Sequence, residues 1–406
     1  MKNNYGKFIL LWLGQLISAI GGGLTSFGLG VYIFEKTGSA ASMALITLLG
    51  FLPTLLFSVP AGVLADRFDR RMLMMLGDGL SGLGVAYILI FMLKGEATLL
   101  QICIGVAISA IFSSLLEPAY KATVTDLLSE EEYSKASGLI SLAGSARYLI
   151  SPLLAGILLS ISDIKLILLI DICTFILTVI STFVVKNSIH EQKPIIKKSF
   201  VASLKEGWTT LKERKAVFLL VISSSILTLF IGVFQVLAEP MILSQTDAGV
   251  LGAIETICAS GMLVSSLYLG IKGLRKRYAK TLSYALVFAG MFIIGFGLAD
   301  NLMLVTVFGF GFFLALPFAN NCLDYLVRSN IPDKLQGRVW GIVGFLSQIG
   351  YVIAYGFSGM LADAIAKVNG MGVGKGSGMI MAFSGLALII VAISLLMKKE
   401  IQNLEE

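Results

Sequence analysis

Ala61-Gly62-Val63-Leu64-Ala65-Asp66-Arg67-Phe68-Asp69-Arg70-Arg71 stands where one apolar run ends and the next begins. About residues 41 to 65 before it and 73 to 93 after it are each long and apolar enough to cross a bilayer as a helix. The charges therefore crowd into a short connection at a membrane surface. Gly62 lets two helices approach closely at that surface. Asp66 is placed to face the positive N-terminal end of another helix. Arg67, Arg70 and Arg71 can act in either of two ways: as a basic anchor that sets topology, or as partners for carboxylates in one arrangement of the protein only.

Composition extends that reading to the whole chain. Of 406 residues 56% are hydrophobic and 14% charged, against about 25% charged in soluble domains. The mean hydropathy is +0.89. Such a balance excludes a cytosolic enzyme, a secreted disulfide scaffold and a disordered region. Dividing the length by about 34 residues per span and connection gives close to twelve transmembrane helices. The runs fall at about 8–33, 41–65, 73–93, 98–118, 135–160, 164–185, 216–238, 248–271, 280–299, 301–323, 339–364 and 378–397. Lys2 and Lys7 precede the first run, which continues to about Tyr32 without a clear cleavage site and is expected to be retained.

The net charge of +6 comes from basic residues in short loops, not from one soluble face, so no nucleic-acid partner is expected. Of 31 Lys and Arg, 25 lie on the side of the termini and 5 on the other (Lys36, Lys94, Lys165, Lys367, Lys375). Only Arg147 lies inside a span. The bias predicts a multi-pass cell-membrane protein with both termini cytoplasmic. Cys103, Cys173, Cys258 and Cys322 each stand alone in an apolar segment, and the one histidine, His190, lies in a polar loop. Neither a disulfide framework, a metal site nor histidine chemistry is indicated, and no cofactor, enzymatic activity or obligatory protein partner is expected. Gly374-Lys375-Gly376-Ser377 looks superficially like a phosphate-binding loop, but its spacing is wrong and no strand precedes it, so a flexible external loop is expected.

The longest connection, 186–215, divides the chain into six-helix bundles at 1–185 and 216–406. Phe200, Val201, Leu204, Trp208 and Leu211 recur at helical spacing with lysines on other faces, which predicts an interfacial helix in the linker. Shifting the sequence by 203 residues lays Gly138 on Gly341, Tyr148 on Tyr351 and Gly156 on Gly359, with Glu130 over Asp333 and Lys135 over Arg338. This supports two parallel six-helix pseudo-repeats, an arrangement that places a site between them near the midplane.

With these features in place, the G-x-L-x-D-R-x-x-R-R pattern from Gly62 to Arg71 is similar to the signature of the major facilitator superfamily. From end to end the chain resembles its macrolide-efflux type of drug:proton antiporter. The likeness includes Gly14-Gln15, Glu35 to Ala40, Gly50-Phe51-Leu52-Pro53, Ser151-Pro152, Ile170-Asp171, Glu255 and Gly337-Arg338-Val339. The fourth span carries no arginine and Ser151 replaces a glycine before Pro152, two departures from many drug exporters. The resemblance implies an all-α major facilitator fold and export of a lipophilic, antibiotic-like compound against protons, with lipid as the surroundings. A lysophospholipid or siderophore carrier, or a non-transporting sensor or antibiotic-immunity protein, are the alternatives.

Charges inside a bilayer are costly and usually face a cavity or one another. Arg147 lies roughly 16 Å along the fifth span, and Asp171 and Glu255 about 10 Å from the ends of theirs. Two pairings stay open: Arg147 with Glu255 as a latch that exchanges protons, or Arg147 with Asp171 as a fixed tie. Gln15, Gln235, Asn320 and Asn321 lie on the spans that the resemblance makes cavity-lining. They are candidates for substrate contact or for interhelical hydrogen bonds. Glu117 and Asp324 are either interface charges or partners for the arginines around Arg70. Gly21, Gly22, Gly23, Gly28 and Gly30 make the first span either easy to bend or closely packed.

Overall fold

The computed structural model describes residues 4–186, 208, 215–274, 277–331, 333–402 and 404. Among them it is all helical, with twelve helical spans long and apolar enough to cross a membrane. Spans 1 to 3 are Asn4–Thr37, Ala40–Arg67 and Arg70–Leu93. Span 4 is Leu99–Ser113 continued by Leu116–Leu127, span 5 is Glu130–Leu149 continued by Ser151–Ile161, and span 6 is Ile164–Lys186. Spans 7 to 9 are Lys215–Leu243, Ala248–Lys272 and Tyr278–Leu298. Spans 10 to 12 are Leu302–Ser329, Asp333–Val368 and Val373–Met397.

Two spans expected to be single helices are each interrupted, and a proline stands just after each interruption. A proline has no N–H to give and its ring crowds the carbonyl four residues back. Pro118 stands four residues after Ser114, where span 4 breaks, and Pro152 is the second residue of the second half of span 5, which begins at Ser151 after Ile150. The expected external loop at Gly374 to Ser377 is also corrected. These residues form the first turns of span 12, with Gly374, Gly376 and Ser377 buried. A Cβ on Gly376 would lie 2.4 Å from the Ala362 carbonyl oxygen, so the small residues allow close docking of spans 11 and 12, not flexibility. The interfacial helix expected over 186–215 lies largely outside the described residues. Within it Trp208 packs edge-on to Phe218, ring centroids 6.3 Å apart.

Span 6 shows what solvent the fold expects. Ile176, Leu177, Ile180, Phe183 and Val184 form its exposed stripe, each more than half exposed. Asp171, Thr174, Thr178, Ser181 and Thr182 form its buried one. Apolar side chains outside and hydroxyls inside is the reverse of a soluble helix. It suits lipid, where polar groups must find partners within the protein.

The chain divides into two compact units. The first comprises Met1–Thr37, Leu45–Lys197 and Asp247–Ala253. Span 1 runs through its core, burying Phe8, Leu11, Leu24, Phe27, Leu29 and Ile33. Gly84 and Gly105 bring the backbones of spans 3 and 4 together: a Cβ on either would come within 2.7 Å of the other's carbonyl oxygen. The second unit comprises Gly38–Ala44, Lys198–Thr246 and Ile254–Glu406. Phe234 centres its core, 4.4 Å from the Phe312 ring and 4.8 Å from that of Phe296.

Gly156 and Gly359, one of the two glycine pairs matched by the 203-residue shift, do the same local work. In the first unit a Cβ on Gly156 would lie 2.7 Å from Ala248 O, at the start of span 8. In the second, a Cβ on Gly359 would lie 2.6 Å from Ala40 O, at the start of span 2. There Asp363 caps the helix as well, accepting from Ser39 Oγ at 2.7 Å and from the backbone N–H groups of Ala40 and Ala41 at 3.0 Å each.

Candidate functional site

The charged stretch that ends span 2 is tied to the first unit through Arg70. Its guanidinium donates to Asp126 Oδ1 at 2.5 Å, to Ala122 O at 3.2 Å and to Ala65 O at 3.3 Å. One side chain thus joins the end of span 2, the start of span 3 and the end of span 4. Asp69 accepts from the Arg71 N–H at 3.0 Å, capping span 3, and lies 3.4 Å from Lys186. Arg71 is buried, Gly62 half-buried, and Asp66 and Arg67 are exposed. Among the described residues Asp66 makes no ion pair. Glu117 pairs with Lys121 at 2.6 Å and not with Arg70, and within its own unit Asp324 forms no ion pair among the described residues. Asp126 went unremarked in the sequence because only the fold brings the end of span 4 beside the start of span 3.

Deeper in the first unit lies a polar cluster. Asp171 of span 6 is 1% exposed. Its Oδ2 accepts from Thr25 Oγ1 of span 1 at 2.6 Å and its Oδ1 from Thr174 Oγ1 at 3.3 Å. Arg147 exerts an attraction on this carboxylate, yet the two form no ion pair, and Arg147 is itself exposed. The threonine hydroxyls, not the guanidinium, hold Asp171 in place. The glycines of span 1 make room for this. A Cβ on Gly21 would lie 2.5 Å from Thr174 Oγ1 and 2.7 Å from Asp171 Oδ1, and one on Gly28 2.6 Å from Ile164 Cδ1. Gly23 faces Ser151 and Arg147, whereas a Cβ on Gly22 would meet nothing within 4 Å. Close packing therefore explains Gly21, Gly23 and Gly28.

Facing the same cluster from span 3 is Asp78, also 1% exposed, which interacts with both Gln15 and Asp171. Sequence reasoning missed it. The signal was present, since Asp78 is the single acidic residue of span 3 and an ionisable group in such a run is a functional candidate by position alone. Gln15 is half-buried and its Nε2 has no hydrogen-bond partner among the described residues.

The second unit holds another missed carboxylate, Glu239 of span 7, the one acid of that span. It stands near enough to Glu255 of span 8 for their charges to repel, and both are half-buried. Cys258, one turn further along span 8, feels the Glu255 charge. Gln235, one turn before Glu239, accepts from the Tyr355 hydroxyl at 2.5 Å. Asn320 and Asn321 of span 10 are exposed. The structure thus places Gln15 and Asp171 in one cluster of the first unit, and Glu255 with Glu239 in the second.

A cavity of about 570 Å³ opens in the first unit away from these groups, between the ends of spans 1, 3, 5 and 8. Glu35, Glu96, Asp163 and Asp247 give it an acidic lining. Lys36, 2.8 Å from Glu96, holds that carboxyl below its usual range through a hydrogen bond and its charge.

Residues 11–355 match the family model described as Major Facilitator Superfamily. The chain is 27% identical to Macrolide efflux protein A of Streptococcus pyogenes, covering 98% of this chain and 97% of that protein. It is 22% identical to Multidrug efflux pump Tap of Mycolicibacterium fortuitum, over 88% of this chain and 90% of that one. Among solved structures, a bacterial homolog to the human lysosomal transporter Spinster matches with a TM-score of 0.78 at 14% identity, covering 100% of this chain and 99% of that one. A bacterial homologue of the iron transporter ferroportin matches with a TM-score of 0.75, also at 14% identity, over 97% of this chain and 99% of that one.

Proposed function

Since the chain belongs to the Major Facilitator Superfamily, a family of transporters and not of enzymes, we propose that it exports amphipathic, macrolide-like organic compounds from the cytoplasm or inner leaflet, driven by inward proton flow. The end-to-end likeness to macrolide efflux proteins supports the substrate class. The observation that carries the energetic half is the set of intramembrane carboxylates, Asp78, Asp171, Glu239 and Glu255. None makes an ion pair within its own unit among the described residues. A carboxylate kept in low dielectric without a fixed cation is free to exchange a proton or to meet a cationic group.

The bundles 1–185 and 216–406, joined by 186–215, rock about a central site in alternating access. The chain is a multi-pass protein of the cell membrane with both termini cytoplasmic, an orientation that the basic-residue bias supports. Glu255, half-buried beside Glu239, is the coupling carboxylate open to water and substrate, because two like charges at short range favour holding one proton between them. Gln235, Asn320 and Asn321 supply polar contacts to the substrate. Gly62, Asp66, Arg67, Arg70 and Arg71 form the conformational switch, with the Arg70 to Asp126 clamp as its fixed half.

A resistance panel tests this reading: cells with and without the protein, challenged with macrolides, other lipophilic drugs and toxic lipids, each with and without a protonophore. Macrolide resistance that collapses with the proton gradient is expected. Resistance confined to toxic lipids would replace the substrate class, and resistance that survives the protonophore would remove the antiport.

A further inference from the structure

We infer that Asp78 is a second, sealed proton-binding site in the membrane core of the first unit, with the Gln15 amide as its partner. It is distinct from Glu255 and rests on the proton-coupled reading above only for its consequence in transport.

Three observations converge on Asp78. It is 1% exposed, so neither bulk water nor a drug-sized molecule reaches it. Its Oδ2 ends without a hydrogen-bond partner, and so does Nε2 of Gln15, although the Gln15 amide is the neutral polar group that faces it. Its charged neighbour is Asp171 of span 6, another carboxylate. On the remaining sides, span 4 offers Ser109 and Ser113 to Ser81 of span 3, one turn beyond Asp78. Arg147 of span 5 acts on Asp171. Among the described residues no cation is paired with Asp78.

Two carboxylates close together in low dielectric do not both ionise. Their surroundings decide which one keeps the charge. Asp171 receives two threonine hydroxyl donors and the attraction of Arg147, all of which favour its anion. Asp78 has the single neutral Gln15 amide beside it and no donor at all on Oδ2, so the proton resides there. Gln15 suits this task because its amide carries an acceptor and a donor at one end. The acceptor takes the O–H of the protonated acid, and after a half-turn the donor serves the carboxylate. One side chain can therefore satisfy both states of Asp78. Loss and return of the proton is a simple acid dissociation at Oδ2, with the released proton passing to water when the cluster opens. Gln15 links this event to span 1, which also carries Thr25 and Gly21 against Asp171.

The test reads the proton directly. The full chain in lipid is followed by infrared difference spectroscopy between acid and alkaline pH, and the carboxylic-acid C=O band is compared in the native chain, Asp78→Asn and Asp171→Asn. Asp78→Asn should remove one such band. Asp171→Asn should leave that band in place. Asp78→Glu, which keeps a protonatable group, should retain a shifted band and covers the case in which the asparagine variant folds poorly. An unchanged spectrum in Asp78→Asn, or a band lost only in Asp171→Asn, would overturn the assignment. In proteoliposomes loaded with a labelled macrolide, Asp78→Asn should lose accumulation against a gradient while downhill counterflow persists. If the native chain moves the macrolide without any proton dependence, the antiport reading fails while the infrared arm still decides Asp78.

Discussion

Gly21→Ala and Gly22→Ala, adjacent and chemically identical changes, should have opposite effects. A methyl on Gly21 would sit 2.5 Å from Thr174 Oγ1 and 2.7 Å from Asp171 Oδ1, both inside contact distance, so span 1 and span 6 must part. Overpacking of this kind costs about 1–3 kcal/mol. The displacement also stretches the 2.6 Å bond from Thr25 to Asp171, and a hydrogen bond to a charged group contributes about 1.5–3 kcal/mol. A methyl on Gly22 meets nothing within 4 Å. There the helix gains about 0.5–1 kcal/mol from replacing glycine. The two variants should therefore differ by at least about 2 kcal/mol, a factor of roughly 30 in the folded-to-unfolded ratio. Thermal unfolding of the purified protein in lipid nanodiscs, followed by intrinsic fluorescence, reads this difference. Equal stability of the two variants would refute the close packing of spans 1 and 6 around Asp171. It would return these glycines to a bending role.

Other consequences can be checked in the same preparations. Asp66→Asn should reduce transport without lowering the amount of inserted protein, since the exposed Asp66 carboxylate supports no ion pair in the described arrangement; normal transport would make it a topology anchor. Glu255→Gln should abolish proton-driven export yet allow downhill exchange, whereas Asp171→Asn, which weakens the tie to Thr25, should chiefly lower thermal stability; reversed effects would shift the coupling role to Asp171. Cysteines placed at the exposed Lys94 and Lys375 should label from outside intact cells and one at Lys198 should not, and labelling at Lys198 alone would invert the topology.

Much of the fold was legible because lipid demands long apolar runs, and all twelve runs became helical spans. The breaks in spans 4 and 5 were less visible. Hydropathy does not register a missing N–H, although Pro118 and Pro152 stand in plain sight. The cluster was harder still. Lipid and core are both apolar, so the buried face of a span cannot be told from its outer face by hydropathy; only span 6, with its row of threonines and serines, advertises it. Asp171 and Glu255 stand out in the sequence because the family resemblance includes them and Arg147 lies within reach of their depth. Asp78 and Glu239 had no cation to point to them, and their neighbours, each another carboxylate, became apparent only in three dimensions. Arg70 likewise revealed its tie to Asp126 only once spans 3 and 4 lay side by side.

Proteoliposomes holding the purified chain and a labelled macrolide, subjected to an imposed pH difference in the absence of ATP, test the central claim most directly. Accumulation on the acidic side that is lost with a protonophore is the predicted result. Equal distribution of the macrolide under the same gradient, with the protein folded and correctly inserted, would contradict it.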